Sequence, residues 1–271
     1  MQGKTVVITG ASSGIGLETA RALAGMGARI VMVVRSKERG EAAATSIGGA
    51  ELVLADLYSL AEVRRAGAEI RDRFGSVDVL VNNAGLIHDT RELTVDGFER
   101  TFALNHLAPF LLTYELRDAI KGRIITVASA GHRFARFDWD ELATVPRWPI
   151  ATIVYGNSKL CNIWFARECG RRMRDKGVTS NSLHPGAVAS NFGASGSMFF
   201  RFGVQLAKPF LLTSAQGART SIYLASSPDV EGVTGEYFGK CRIEKPTKRA
   251  QNDDDARRLW ALSEKLCGVT W

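Results

Sequence analysis

Short apolar, β-branched runs alternate with segments of helical period along this chain. Residues 4–10 (KTVVITG) read as a buried strand, and Leu17, Ala20, Leu23 and Ala24 after it fall on one helical face. A second strand is predicted over 28–34 (ARIVMVV), then a helical SKERGEAAATSI, then a third strand over 50–57 (AELVLADL). Ser59 and Glu62 have the spacing of a capping box and open a helix to about Phe74. A fourth strand follows at 77–85, a long helix from about Thr94 to Ile120, and a fifth strand at 122–129, ending on Ser129. Another helix runs from about Thr152 to Asp175, and a sixth strand covers 178–186. Thr213 and Gln216 cap a later helix, GEYF (235–238) predicts a seventh strand, and 253–267 is helical.

Strands that alternate with helices imply β-α-β units with right-handed crossovers. Runs apolar on both faces suit a sheet covered by helices on both sides. The expectation is an α/β fold, doubly wound, with a parallel sheet of about seven strands. No linker divides the 271 residues, so 1–271 reads as one domain with a C-terminal helical extension.

Composition, at 45% hydrophobic and 23% charged, excludes disorder and fibrous repeats. Cys161, Cys169, Cys241 and Cys267 form no C-x-x-C pair, and His88, His106, His132 and His184 form no zinc or triad pattern, so no metal is expected. The early apolar run leaves no room for a signal peptide and no segment reaches membrane-spanning length, so a cytoplasmic protein with reduced thiols is expected. The net charge of +7 reads as a solvated basic surface or as attraction for anions. No motif points to nucleic acid.

TGASSGIG (9–16) sits where the first strand becomes a helix. Its spacing, Gly10-x-x-x-Gly14-x-Gly16, differs from G-x-G-x-x-G, but the physics is shared: glycines permit a tight turn, and the helix N-terminus offers free N–H groups to a pyrophosphate. A tight connection alone is the competing reading. In dinucleotide folds an acidic residue at the end of strand two holds the ribose 2′-hydroxyl. Arg35 stands there instead, with Arg39 one helical turn on. A guanidinium suits a 2′-phosphate, so NADP(H) is expected over NAD(H), unless Arg35 is merely a solvated surface residue.

YGNSK (155–159) places Tyr155 and Lys159 one helical turn apart on one face. A lysine cation about 5 Å from the phenol favours phenolate by about 3 kcal/mol, so the tyrosine's pKa is expected to fall into a range useful for proton transfer. An ordinary surface pair is the competing reading.

In order along the chain, TGASSGIG (9–16), ADL (55–57), NNAG (82–85), Asn105, Ser129, YGNSK (155–159) and HPGAVAS (184–190) resemble the short-chain dehydrogenase/reductases. The long gap between Ser129 and Tyr155, with SKLCNIWFARE (158–168), VTSNSLHPGAV (178–188) and TSIYLASSPDVEGVTGEYFGKC (220–241), resembles their retinol dehydrogenase-like branch. The resemblance implies a Rossmann-type domain and NAD(P)-dependent interconversion of an alcohol and a carbonyl, with Asn105, Ser129, Tyr155 and Lys159 catalytic. It implies that Gly10, Ser12, Ser13, Gly14 and Ile15 surround the phosphates and adenosine, and that Asp56 and Leu57 meet the adenine. Asn83, Ala84 and Gly85 would line the cleft, with Pro185, Gly186, Val188 and Ser190 at the nicotinamide, Lys159 on its ribose and Tyr155 also contacting the cofactor. Ser190 stands where threonine is common, and Ala128 where a second serine is frequent.

Two roles stand for 196–212: a flap within a substrate-lid segment at about 190–215, or a shallow peripheral membrane contact. Trp148 and Phe137 would complete the pocket mouth. The expected partner is a small apolar carbonyl or alcohol, retinoid-like or lipid-derived by resemblance. A hydroxysteroid or xenobiotic carbonyl reductase, a catalytically silent NADP(H)-binding regulator and a membrane-associated scaffold are the alternatives. By resemblance the protein assembles as a homodimer or homotetramer, with the C-terminal segment limiting some packing.

Overall fold

The protein is described by a computed structural model over residues 1–136, 138–188 and 211–271. The apolar runs become strands of one sheet: β1 (Thr5–Thr9), β2 (Arg29–Val34), β3 (Glu51–Leu54), β4 (Val77–Asn82), β5 (Ile120–Val127), β6 (Thr179–His184), β7 (Tyr237–Gly239) and β8 (Arg242–Ile243). Their order is β3-β2-β1-β4-β5-β6-β7-β8. Strands β1 to β7 pair in parallel, and β8 turns back antiparallel to β7. The sheet thus carries one strand more than the pattern predicts. Chain order reverses between β1 and β4, the place where open α/β sheets leave a crevice beyond their carboxyl ends.

Alternation along β1 shows how both faces are covered. Val7 joins a core with Val63 and Ile70 of α3 (Leu60–Phe74), Phe110 of α5 (Ala108–Leu116), Trp164 of α6 (Ala151–Arg172) and Trp260 of α8 (Asp253–Cys267). Val6 and Ile8 join another with Leu23 of α1 (Gly14–Gly25), Ala43 of α2 (Lys37–Ser46) and Leu224 of α7 (Ser214–Ser226). The Thr213–Gln216 capping box forms in full. At Ser59 only one half forms: its hydroxyl accepts from Glu62 N–H, while the Glu62 carboxylate pairs with Arg65.

The helix expected over 94–120 is shorter and broken. Thr94 Oγ1 accepts from the N–H groups of Asp96 and Phe98, which spends this segment on a turn. The buried Glu99 carboxylate then caps a short α4 (Arg100–Phe102), accepting from Thr101 and Phe102 N–H at 2.8 Å each. A π-helical turn, Ala103–Leu107, follows before α5. Ile120 pairs with Val77, so it belongs to β5 and not to the helix.

His106 in the π-turn is enclosed by Phe102, Phe110 and Phe165, and its Nε2 meets Ser263 Oγ of α8 at 2.8 Å. Burial pushes its pKa down to about 3. An unfolded histidine titrates near 6.5, so below that pH the unfolded chain takes up a proton that the folded chain refuses. Stability from this group is whole above pH ~6.5 and falls by about 1.4 kcal/mol per pH unit toward pH 3. Thermal unfolding between pH 7.5 and 4.5 should show this loss, and His106→Phe should flatten the slope. An identical slope in that variant would remove His106 as its source.

Candidate active site

All seven parallel strands point their carboxyl ends the same way, so the loops after them share one rim. Thr9, the last residue of β1, staples two of these loops. Its Oγ1 accepts from Asn83 N–H at 3.0 Å and Ala84 N–H at 2.9 Å, and Asn83 Nδ2 donates to the Thr9 carbonyl at 2.8 Å. Gly10 has φ of +67°, and a Cβ there would lie 3.0 Å from Ala84 Cα. Only glycine brings the loops this close.

Ser13 N-caps α1 in extended conformation, yet its side chain makes no cap bond and the first turn holds no acidic residue. The first-turn N–H groups are thus left for an anion, as a pyrophosphate requires. Ser12 and Gly14 are half-buried beside them. Ile15 reaches across to α7, where a Cβ on Gly217 would meet both Ile15 and Val188. The 185–188 stretch therefore sits against the glycine loop, with Gly186 at φ of +85°. Ser190 and most of 196–212 lie outside the described residues, as does Phe137.

Arg35 and Arg39 follow β2 and are exposed. Neither guanidinium has an ion pair or hydrogen bond among the described residues, where most other arginines are paired. Asp56 Oδ1 accepts from Tyr58 N–H at 3.1 Å. Leu57 turns its side chain into the core, so only its backbone is left for a base.

Asn105, expected in a regular helix, projects from the π-turn, a distortion that recurs at functional sites. Its Nδ2 donates to the Leu86 carbonyl and to Ser158 Oγ, both at 2.9 Å, and its Oδ1 accepts from Leu86 N–H. The Ser158 partner was hidden inside YGNSK, between the two residues singled out there. A Cβ on Gly85 would lie 3.0 Å from Asn105 Oδ1 and 3.1 Å from Lys159 Nζ, so all three groups meet at one point.

Strand β5 stops at Val127, two residues before its expected end. Ser129 instead N-caps a 3-10 turn, Ala130–Phe134, with its Oγ accepting from Gly131 N–H at 3.0 Å. Tyr155, in the second turn of α6, hydrogen-bonds the Ser129 side chain. Lys159 lies one turn on, with Nζ 5.5 Å from the Tyr155 ring centroid and donating to the Val127 carbonyl at 2.8 Å.

The electrostatics overturn one expectation. Desolvation pushes the half-buried Tyr155 phenol above its ordinary pKa, with the Ser129 hydrogen bond opposing it. Lys159 does not lower it. The lysine is 2% exposed, and burial brings its own pKa down to about 7. Helical spacing sets the distance between the two groups, but burial of each is the first cause of its shift. The phenol is therefore held protonated, and the Lys159 ammonium beside it titrates near neutral pH.

His184 pairs with Glu244 at 3.1 Å and stacks on Tyr237, a structural setting. Cys161 is fully buried, and that burial pushes its thiol up, away from a nucleophile's range. Among the described residues no three His, Cys, Asp or Glu side chains gather to hold a metal, and no helix is long and apolar enough to cross a membrane.

A family model described as short chain dehydrogenase matches residues 4–197. Mouse retinol dehydrogenase 14 is 40% identical, over 99% of this chain and 87% of that protein. A solved structure of an uncharacterized protein from Mycobacterium paratuberculosis superposes with a TM-score of 0.83 at 34% identity, covering 99% of this chain and 94% of that one. A blue fluorescent protein from a metagenomic library, solved with NADPH, gives a TM-score of 0.70 at 29% identity, over 88% of this chain and 96% of that one. Sequence, topology and these likenesses agree: the chain belongs to the short-chain dehydrogenase/reductase family, on its retinol dehydrogenase-like branch, and acts on CH–OH and C=O groups.

Proposed function

We propose that the protein is an NADP(H)-dependent oxidoreductase that interconverts an apolar aldehyde or ketone and its alcohol. The observation that carries this reading is the convergence of Asn105, Ser129, Tyr155 and Lys159 beside the open N-terminus of α1. The first turn of α1 and the 83–85 loop would hold the cofactor's phosphates and ribose, and Arg35 with Arg39 would hold a 2′-phosphate. When bound, the nicotinamide supplies or accepts a hydride. Tyr155 donates its proton to the substrate oxygen in reduction and takes it back in oxidation. Ser129, bonded to Tyr155, orients and polarises that oxygen. Lys159 steadies the phenolate left behind and, with Asn105 close by, returns the proton.

Two exposed apolar residues stand close to the site residues along the chain. Phe134, in the turn after Ser129, is 63% exposed, and Ile150, which N-caps α6, is 66% exposed. Both suit the lip of a pocket for an apolar substrate. Oxidation of NADPH and NADH by the purified protein should be followed with aliphatic, aromatic and retinoid aldehydes and with ketones. Turnover with NADPH on apolar carbonyls supports the reading; turnover restricted to polar substrates or to NADH refutes it.

The pH profile is a further expected result. Lys159 is protonated below about pH 7 and loses its charge above. Carbonyl reduction, which leaves a phenolate beside it, should slow as pH rises through about 7, and alcohol oxidation should speed up. A reduction rate that stays flat from pH 6 to 9 would take Lys159 out of the proton path.

A further inference from the structure

Behind Ser129 lies a histidine that the acid–base chemistry does not use. His132 is in the 3-10 turn that Ser129 caps, and it is 2% exposed. Its Nδ1 lies 2.8 Å from the Ser129 carbonyl oxygen, and its Nε2 is 3.3 Å from Thr247 N. A backbone N–H can only donate, so Nε2 is the acceptor. The ring proton is therefore on Nδ1, where it donates to the Ser129 carbonyl. The ring packs edge-on against Tyr237, with centroids 5.3 Å apart. Burial holds its pKa below the ordinary value, which keeps this neutral tautomer in place at neutral pH.

The same turn is clamped from the other side. A Cβ on Gly156, the residue after Tyr155, would lie 2.8 Å from the Gly131 carbonyl oxygen and 3.2 Å from Ala135 N. The turn is thus pressed directly on the α6 backbone. Among the described residues, the His132–Thr247 hydrogen bond ties it to the C-terminal segment, which itself grips α6 through Trp164 Nε1 on the Arg249 carbonyl at 3.0 Å.

We propose that His132 is a positioning residue: it ties the Ser129 carbonyl to the Thr247 segment and so fixes the serine hydroxyl relative to Tyr155. The inference rests on Ser129 and Tyr155 being the groups that meet the substrate oxygen. Small displacements there are costly, because a 1 Å error in a reacting group is worth about 100-fold in rate.

Three variants and two backgrounds test this. His132→Phe keeps the ring against Tyr237 and removes both hydrogen bonds. His132→Asn puts an amide N–H near the place of Nδ1. His132→Gln keeps an acceptor for Thr247 and loses the donor to Ser129, and it serves where the phenylalanine variant fails to fold. The expected result is a kcat loss of about 10- to 100-fold for Phe, with NADPH affinity unchanged, and a smaller loss in Asn and in Gln, each of which keeps only one of the two bonds. Added to Ser129→Ala, His132→Phe should cost less than about threefold, because its effect passes through the serine already removed. Wild-type kcat in a folded Phe variant, wild-type kcat in both the Asn and the Gln variant, or an equal loss in both backgrounds would overturn the proposal. Unchanged turnover in Ser129→Ala alone would instead sink the reading of the site on which it rests.

Discussion

Replacing Tyr155 with phenylalanine should lower carbonyl reduction by on the order of 10³-fold, the span ascribed to a well-placed general acid. The substitution removes one oxygen and keeps the ring. The ring fills its place between the 3-10 turn and Lys159, whose Nζ is 5.5 Å from its centroid. Ser129 keeps its bond from Gly131 N–H, so the substrate oxygen retains one donor but loses its proton source. Burial holds the native phenol protonated, which makes it a ready donor in the direction of reduction. NADPH affinity should stay within about fivefold, because one lost hydrogen bond to the cofactor is worth about 1 kcal/mol net. Steady-state rates paired with a cofactor titration would separate the two. Unchanged turnover would remove Tyr155 from the chemistry, and joint loss of turnover and binding would point to a collapsed cleft.

The strands were legible because their residues announce burial on two faces. TVVIT and RIVMVV have no polar alternation, and both lie within the sheet as β1 and β2. The glycine loop and Tyr155-x-x-x-Lys159 were legible because backbone freedom and helical period are local properties. What escaped is non-local or too short to carry a period. β8 has two residues, and Ile243 in it is 55% exposed. The π-turn is built from Ala-Leu-Asn-His-Leu, ordinary helix formers with no mark of the distortion. The early helix start failed on turn chemistry, since the Thr94 hydroxyl and the Glu99 carboxylate take up the N–H groups that a longer helix would use. The partners of His132 and His106, Thr247 and Ser263, are more than a hundred positions away, and no spacing rule reaches that far. The Tyr155 pKa went the wrong way for a related reason. A sequence gives the charge and its distance along a helix, but how much water is excluded depends on what packs around it.

Arg35→Asp should weaken NADPH binding by on the order of 100- to 1000-fold and leave NADH within about threefold. The two cofactors differ only in the 2′-phosphate, so the ratio of affinities isolates that group. A guanidinium bonded to a phosphate contributes about 1.5–3 kcal/mol, and tenfold corresponds to about 1.4 kcal/mol. Aspartate removes this and adds like-charge repulsion, which carries the loss past what neutralisation alone gives. Arg35 is free to act because no acidic side chain among the described residues engages it, unlike the arginines of α3, which Glu62, Glu69 and Glu115 take up. NADH can gain in the same variant, since a carboxylate at the end of β2 accepts from the ribose 2′-hydroxyl. Arg39→Ala should cost NADPH less, about tenfold, because Arg39 sits a helical turn further on and contributes mainly charge. The NADPH loss should also shrink as salt rises, since both arginines are exposed and their field is screened. Equal losses for the two cofactors would make Arg35 a solvated surface residue and shift the 2′-phosphate contact elsewhere on the rim.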